Sequence, residues 1–330
     1  MTSPPTVTAY IPCFNGAAYL PDTISAILNQ SRPPDELLII DDGSTDNTAE
    51  IAAKYPVRVI RHHQNQGLAA ARNTALANAA YPLLAAFDAD AVADPLWLSS
   101  LLEHFHDPNV AGAGGRLLEH FCVAPPDLWR SLQLGQDLGE SLIEISSPMP
   151  KRIGGFGTVF RTGVLREIGG YDLRFRTNYE DVDACARILR AGYKVIFDPR
   201  AVMRHMRRDT FSSVLRTSWR WDFYTHYFSG GYNYIFLKLL YNFRFALVLL
   251  RQHAAARRYS LFPLDVALPF VHCYHDLRYH FSSPRLPPVV PHPDSAVYPL
   301  YFPKPFRGLL RRSRAASPAD PSSPKPNHDH

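Results

Sequence analysis

Apolar residues recur in two alternating patterns along the first hundred positions. Short runs rich in β-branched residues predict strands, and longer segments with apolar residues three or four positions apart predict helices. Strands are predicted at residues 7–11, 37–40, 57–61 and 83–87, and helices at residues 20–28, 48–55 and 68–80. This alternation is typical of a mostly parallel sheet that is covered by helices on both faces.

The pattern is weaker after Gly112, where a helical stretch is expected only around residues 129–145. Helices are then predicted at residues 162–168 and from about residue 180 to Arg190, before a strand at residues 193–197 and its turn. The expected fold is therefore α/β and Rossmann-like. The predicted organisation is a domain at 1–208, a basic aromatic helical appendage at 209–300 and a largely disordered tail at 301–330.

Composition excludes wholesale disorder, because 46% of the 330 residues are hydrophobic. Charge divides the chain, with a net charge of −6 over residues 1–200 and +11 over residues 201–330. No recognised nucleic-acid fold accompanies the basic part, so nucleic acid is not an expected partner.

The basic part also carries an amphipathic helix. Its apolar stripe is formed by four residues, Phe211, Val214, Leu215 and Trp219. Aromatic and cationic side chains suit the surface of an anionic membrane, which leads to the hypothesis of peripheral attachment to the inner leaflet. The alternative is that the stripe packs on the domain or forms a dimer contact, since amphipathic stripes serve both purposes.

Nothing at the N-terminus is typical of an export signal, so a cytoplasmic location is expected. The best candidate for a membrane span, residues 232–250, is interrupted by Lys238 and Arg244 and is not predicted to cross a bilayer. The four cysteines are far apart with no CxxC pair, which favours buried thiols over disulfides or a thiolate metal site.

Acidic residues follow two of the predicted strands. Asp88 and Asp90 come after the fourth strand, where two carboxylates can face a divalent cation that also binds a diphosphate. Chance occurrence in a turn is the alternative for this D-x-D triplet. Asp41 and Asp42 follow the second strand, where a carboxylate can accept from the ring N–H of a nucleobase, although capping of the next helix would also use such residues.

Two helices, one after the third predicted strand and one from about residue 180, supply further candidate residues. Gly67 opens an alanine-rich helix and lets the backbone approach a ligand, while Arg72 on that helix suits either a phosphate or a local carboxylate. Glu180, Asp181 and Asp183 crowd three acids at one helix start, which raises at least one pKa toward the range of a proton acceptor. Asp181 is the candidate base.

Six motifs appear together in one order. They are PCFN at 12–15, DDGSTD at 41–46, NQGLAAARN at 65–73, DAD at 88–90, GGYD at 169–172 and NYEDVDACARILRAGY at 178–193. The set resembles the family-2 inverting glycosyltransferases. The resemblance implies a GT-A fold that binds a nucleoside-diphosphate sugar together with Mg²⁺ or Mn²⁺.

The resemblance also implies a role for each matching residue. Pro12, Phe14 and Asn15 would border the nucleotide. Asp42, supported by Asp41, would read the base, and Asp88 would lie near the ribose or sugar. Asp90 and His205 would hold the metal, and Asp181 would deprotonate the acceptor hydroxyl.

The function expected from this resemblance is sugar transfer to a glycan or lipid-linked acceptor in cell-surface or lipid-linked glycan synthesis. Residues 116–150 match no motif of the family and residues 153–160 depart from it, so the acceptor stays open. The alternative is a catalytically silent nucleotide-sugar-binding or scaffold protein at a membrane. A nucleotidyltransferase is disfavoured because PCFNGAAY lacks a Gly-rich loop with Arg or Lys for a triphosphate.

Overall fold

The computed structural model describes residues 5–146, 155–175, 177–228 and 235–282. Its strands are β1 (Val7–Cys13), β2 (Glu36–Asp41), β3 (Arg58–Arg61), β4 (Leu83–Ala86), β5 (Ala91–Ala93), β6 (Val110–Glu119), β7 (Ile143–Glu144), β8 (Thr158–Arg161) and β9 (Lys194–His205). Its α-helices are α1 (Leu20–Leu28), α2 (Thr48–Ala52), α3 (Leu68–Asn78), α4 (Trp97–Leu102), α5 (Pro125–Gln133), α6 (Thr162–Glu167), α7 (Glu180–Arg190), α8 (Phe211–Phe228), α9 (Ile235–Ala255) and α10 (Phe262–Ser282). The predicted tail at 301–330 lies outside the described residues.

These strands form one mixed sheet in the order β3-β2-β1-β4-β8-β6-β9-β5, with β7 pairing on β9. The first four strands along the chain pair in parallel, as the β–α alternation predicts. β8 runs antiparallel to both β4 and β6, whereas β6 and β9 are parallel. The carboxyl ends of β1, β2 and β4 therefore meet at one edge of the sheet.

Helices cover both faces of the sheet. All seven residues of β1 are buried, which explains why its sequence is apolar without alternation. On one face α1 buries Leu20, Ile24 and Ile27 in a core cluster. On the other face the small residues of α3, such as Ala71 and Ala75, pack closely in a second cluster.

The amphipathic stripe on α8 turns inward rather than toward a membrane. Val214 and Leu215 are buried, and they cluster with Trp129 of α5 and with Leu264 and Leu268 of α10. The structure therefore shows the alternative to membrane contact for the central residues of this stripe: Val214 and Leu215 pack inside the protein.

The prediction of a helix around residues 129–145 is wrong after Gln133, where α5 ends. Gly139 has φ +99°, a left-handed conformation that no helix interior adopts. The chain then enters β7, which pairs antiparallel with β9 through Ile143 and Glu144. The apolar residues at the end of this stretch therefore serve a strand.

Strand β6 was not predicted, because its sequence VAGAGGRLLE contains three glycines. Gly115 is needed there, since a Cβ at this position would lie 1.9 Å from the carbonyl oxygen of Ala201 on β9. β9 is longer than predicted, and His205 is its last residue instead of following a turn.

The expectation that all four cysteines are buried is wrong at Cys122. Its thiol is exposed in the loop after β6, whereas Cys13 and Cys185 are buried and Cys273 is partly buried. None of the helices in the described ranges is both long enough and apolar enough to cross a membrane.

Candidate active site

The turn between β4 and β5 places two carboxylates beside the end of β9. β5 pairs antiparallel with β9, so that Ala91 lies opposite His205. The N–H of Met206 donates to the carbonyl of Asp90 at 2.7 Å, which fixes the same junction. As a result Asp90 Oδ2 lies 3.2 Å from His205 Nε2.

The other ring nitrogen of His205 faces the end of β6. The parallel register of β6 and β9 places Glu119 beside His205, with Glu119 Oε2 at 3.4 Å from Nδ1. Burial alone would lower the pKa of His205, but Asp90 and Glu119 raise it to about 10. Burial also opposes the charge on Asp90, yet the neighbouring imidazolium holds the pKa of that carboxyl below its usual value.

Asp90 and His205 fit a divalent cation as a pair of ligands. Carboxylate oxygen and neutral imidazole nitrogen are both ligands of Mn²⁺-type ions, and the two atoms lie 3.2 Å apart. A bound cation would take the place of the proton that Asp90 favours on Nε2 of His205. The nearest group to the other ring nitrogen, Nδ1, is Arg130 Nη1 at 2.8 Å, and Arg130 in turn pairs with Glu119 Oε2 at 2.7 Å. Within the described ranges no cluster of three or more His, Cys, Asp or Glu side chains could hold a metal ion. The other positions would belong to water and to ligand oxygens.

Helix α7 brings the acid cluster to the same cleft. Its N-cap residue Tyr179 has φ +82°, and the first turn then carries the three acids. Asp181 is only 7% exposed and lines the cleft, with Oδ1 accepting from the N–H of Val182 at 2.8 Å. Asp183 instead pairs with Arg187 on its own helix at 2.6 Å. The structure thus separates Asp181 from Asp183.

Arg72 ties α3 to both acidic segments. Its Nε donates to Glu180 Oε1 at 3.1 Å, and a terminal nitrogen lies 3.5 Å from Asp88 Oδ1. A second terminal nitrogen donates to the hydroxyl of Tyr10 at 2.9 Å and to the carbonyl of Gly155. Of the two partners expected for Arg72, the structure shows the local carboxylates.

Two carboxyl groups around Arg72 have raised pKa values. Burial raises the pKa of Asp88 to about 6, although the guanidinium of Arg72 acts in the opposite direction. Burial and the neighbouring Asp181 raise the pKa of Glu180 to about 7. The crowding predicted for the three acids therefore acts on Glu180, whose Oε2 is buried without a hydrogen-bond partner.

The acids after β2 are held by internal hydrogen bonds. Asp42 accepts from the backbone N–H groups of Gln66 and Gly67 at 2.9 and 2.8 Å. His62 Nδ1 lies 2.7 Å from the same carboxylate. Asp41 accepts from the N–H of Ser44 at 2.8 Å. Asp42 thereby fixes the start of α3, where Gly67 has φ +98°.

The PCFN segment lies at the same edge of the sheet as Asp42. Pro12 is buried in β1, and Phe14 is 49% exposed. Asn15 has φ +53°, and its Oδ1 accepts from the N–H of Thr45 at 2.8 Å, which joins the loops after β1 and β2. The nucleotide roles of these residues stay predictions.

Five of the eleven predicted site residues line one cleft of about 240 Å³. Of the predicted site residues it is lined by Arg72, Asp88, Asp90, Asp181 and His205. The other predicted residues, Pro12, Phe14, Asn15, Asp41, Asp42 and Gly67, do not line this cleft.

Helix α8 forms one wall of the cleft, a role that the sequence analysis did not predict. Thr217, Arg220 and Trp221 of α8 line the cleft. In the amide orientation that satisfies both groups, Asn178 Oδ1 accepts from Trp221 Nε1 at 2.9 Å. The signal that could have found this wall is the WRW triplet soon after the last predicted strand.

Residues 8–168 match the sequence profile of the family described as Glycosyl transferase family 2. The chain carries a family-2 glycosyltransferase domain. Residues 169–205, which contribute Asp181 and His205, lie beyond the matched range.

Curated relatives agree with this assignment. The chain is 31% identical over 211 residues to the pre-mycofactocin glycosyltransferase of Mycobacterium tuberculosis, which covers 61% of this chain and 43% of that protein. It is 24% identical over 229 residues to the poly-β-1,6-N-acetyl-D-glucosamine synthase of Staphylococcus epidermidis, with 65% of this chain and 53% of that protein covered. The chain thus spans about half the length of these relatives.

Solved structures show the same fold at low sequence identity. S. aureus TarS 1–349 has a TM-score of 0.50 and 16% identity, and covers 64% of each chain. GalNAc-T7 with UDP, GalNAc and Mn²⁺ has a TM-score of 0.52 and 17% identity, and covers 63% of this chain and 45% of that chain. The fold of this family-2 domain is GT-A.

Proposed function

We propose that this chain is a metal-dependent, inverting glycosyltransferase that moves a sugar from a nucleoside-diphosphate sugar to an acceptor hydroxyl. The observation that carries the proposal is the shared cleft, in which Asp181 stands near the pair formed by Asp90 and His205. A base and a cation-binding pair at one cleft are the two parts that direct displacement at an anomeric carbon requires.

In this mechanism Asp181 accepts the proton of the acceptor hydroxyl as the oxygen attacks the anomeric carbon. The bond to the diphosphate breaks on the opposite side, so one displacement inverts the configuration. Asp90 and His205 would hold Mg²⁺ or Mn²⁺, which when bound offsets the charge developing on the departing diphosphate. Arg72 and Glu180 keep α3 and α7 together, and so position Asp181 relative to Asp88.

The donor is proposed to be a nucleotide sugar whose nucleoside lies at the edge formed by Pro12, Phe14 and Asn15. Asp42, with Asp41 behind it, would read the base in this arrangement. Support comes from a TarS structure that contains UDP-GlcNAc and from the GalNAc-T7 structure that contains UDP. We therefore place UDP-sugars first among the donors to test.

The acceptor is proposed to be a surface or lipid-linked glycan, with the protein attached peripherally to the inner leaflet. One relative is named as the synthase of poly-β-1,6-N-acetyl-D-glucosamine, a glycan. The acceptor would bind along the cleft wall that Thr217, Arg220 and Trp221 form. An aromatic ring such as Trp221 provides an apolar face on which a sugar ring can stack.

Calorimetric titration with UDP-, GDP- and dTDP-sugars in the presence of Mn²⁺ tests donor binding. Transfer to water is then followed by ¹H NMR, which reports the anomeric configuration of the first sugar released. Donor binding with release of the inverted sugar supports the proposal. Absence of binding for all the donors would contradict it, and binding without any turnover on glycan or lipid acceptors would favour the catalytically silent alternative.

A further inference from the structure

The outward faces of α9 and α10 are apolar. On α9 the exposed positions include Phe236, Leu240, Phe243 and Leu247, and on α10 they include Val266, Phe270, Tyr274, Leu277 and Phe281. Each set follows the three- or four-residue spacing of a single helical stripe. Of the eighteen exposed large hydrophobic side chains in the described ranges, eleven lie between residues 235 and 281. Such a concentration marks an interaction surface.

The two stripes join into one surface, which we call the α9–α10 face. Phe243 on α9 and Phe270 on α10 contact each other edge to face, with ring centroids 5.5 Å apart. Both side chains are exposed, so their contact lies on the outside of the helical pair. The apolar area is therefore continuous from one helix to the next.

The polar side of α9 is turned inward. Lys238 is 3% exposed and donates to Asn242 at 2.7 Å, and it pairs with Asp222 of α8. Asn242 in turn donates to Asp276 of α10 at 2.9 Å. The inner side of the helical pair also carries apolar residues, among them Leu249 of α9 and Leu264 and Leu268 of α10. A helix pair that faces water has polar residues on its outer side, whereas the outer side of this pair is apolar as well.

Exposed cations lie on the same two helices and on the turn between them. The five arginines at exposed positions in this part of the chain are Arg244, Arg251, Arg257, Arg258 and Arg278. The two carboxylates between residues 235 and 281, Asp265 and Asp276, are both fully buried. The accessible surface of this segment is thus apolar and positively charged.

From this combination we infer that the α9–α10 face inserts into the interface of an anionic lipid membrane. Lipid phosphates would neutralise the arginines, whose long side chains can reach the headgroups while their stems stay apolar. A second copy of the chain fits less well, because a two-fold contact through this face would bring the same arginines together without exposed carboxylates to pair with them. The inference deepens and rests on the membrane attachment in the proposed function, but it moves the contact from α8 to α9 and α10.

The test is flotation of the full chain with vesicles of phosphatidylcholine alone or with 30% phosphatidylglycerol, at about 0.1 M and 0.5 M salt. We expect binding to the anionic vesicles that weakens at high salt. The variant Leu240→Asp with Phe270→Asp should bind at least tenfold less. The matched control is Leu96→Asp on the sheet domain. Leu96 is 61% exposed, against 63% for Leu240 and 62% for Phe270. Because Leu96 lies outside the α9–α10 face, this variant should bind like the wild type.

A charge variant tests the same face without altering its apolar residues. Arg251→Glu with Arg258→Glu should lower binding to anionic vesicles more than tenfold, since one basic residue near such a surface contributes about 1 kcal/mol, or roughly fivefold. This variant keeps the test decisive if the aspartate variant fails to fold, as checked by circular dichroism.

Three results would overturn the inference. These are absence of binding to anionic vesicles, unchanged binding of both variants, and a dimer in solution that Leu240→Asp dissociates. Flotation uses no sugar donor, and donor binding is measured without vesicles. The membrane inference and the proposed activity can therefore fail separately.

Discussion

The sheet domain and the helical region both bury charged side chains, but they place them in opposite ways. In the sheet domain the buried Arg72 pairs with the buried Glu180 and the partly exposed Asp88, and all three line the cleft. In the helical region Lys238 and Asp276 lie inside a helix bundle, under an outward face that is apolar. The first group lies at the candidate active site, whereas the second group links the helices of the bundle.

Burial of charge therefore does not by itself mark a reactive site. A buried ion pair costs desolvation wherever it lies, and it is tolerated only when its partners are complete. Near the cleft several buried atoms have no hydrogen-bond partner, among them Asp88 Oδ1 and Glu180 Oε2, and the pKa of Glu180 rises to about 7. Variants in the two regions should therefore differ in what they damage.

The largest effect is expected for Asp181→Asn. Loss of a general base lowers turnover by about 10²–10⁴-fold, while the amide keeps the shape of the cleft and leaves donor affinity within a few-fold. Asp183→Asn is the matched control, because Asp183 lies in the same helical turn but pairs with Arg187. Turnover is measured as sugar release. An equal loss of turnover in the two variants would contradict the assignment of Asp181 to the cleft chemistry and of Asp183 to a structural pair.

The second effect concerns the two buried cations. Arg72→Met and Lys238→Met should each lower the free energy of unfolding by about 3–5 kcal/mol, because each leaves buried carboxylates unpaired. Only Arg72→Met should also lower turnover per folded molecule, since Lys238 does not line the cleft. Urea unfolding and sugar-release assays measure the two quantities. Arg116→Ala, which breaks the partly exposed pair with Asp137, should cost less than about 1 kcal/mol.

A third, smaller effect is expected at Gly155. A Cβ there would lie 2.7 Å from a terminal nitrogen of Arg72 and 3.0 Å from Asp181 Cβ. Gly155→Ala should thus displace these side chains at a cost of about 1–3 kcal/mol and reduce turnover. Gly163→Ala is the control, because nothing lies within 4 Å of a Cβ at Gly163. Unimpaired turnover in Gly155→Ala would show that Arg72 and Asp181 are packed less tightly against Gly155 than these distances indicate.

The smallest effect is a pH dependence of stability. The pKa of Glu180 rises from 4.5 to about 7 on folding, so the folded state binds more protons between these values. Glu180 therefore makes the free energy of unfolding fall as pH rises from about 5 to 8. Glu180→Gln should have a shallower slope in urea unfolding over this range. Glu50→Gln, at an exposed position, should follow the wild type, and a slope unchanged by Glu180→Gln would contradict the assignment.

The sheet and its acids could be predicted because their signals are local. β2 and β4 contain continuous apolar runs at residues 37–40 and 83–86, and Asp88 and Asp90 come just after β4. β6 could not be predicted, because its glycines fit neighbours that are far away in sequence: a Cβ at Gly115 would meet Ala201, and a Cβ at Gly112 would meet Phe160. The proximity of Asp90 and His205 depends on the register of β5 and β9, and only the family resemblance indicated it.

The helical region shows a second limit of sequence reasoning. Periodicity gives the apolar stripe of a helix but not what the stripe faces, so Val214 and Leu215 on α8 pack inside, whereas Leu240 and Phe270 face outward. The role of Trp221 also escaped prediction, because α8 reaches the cleft only through the tertiary fold.

The position of Trp221 gives the protein a natural optical reporter. Of its four tryptophans, Trp97 and Trp129 are fully buried, and Trp219 donates to Asp276 within the helix bundle. Trp221 alone among them lines the described cleft. A change in intrinsic fluorescence when a ligand is added can therefore be assigned through Trp221→Phe, without attaching any label.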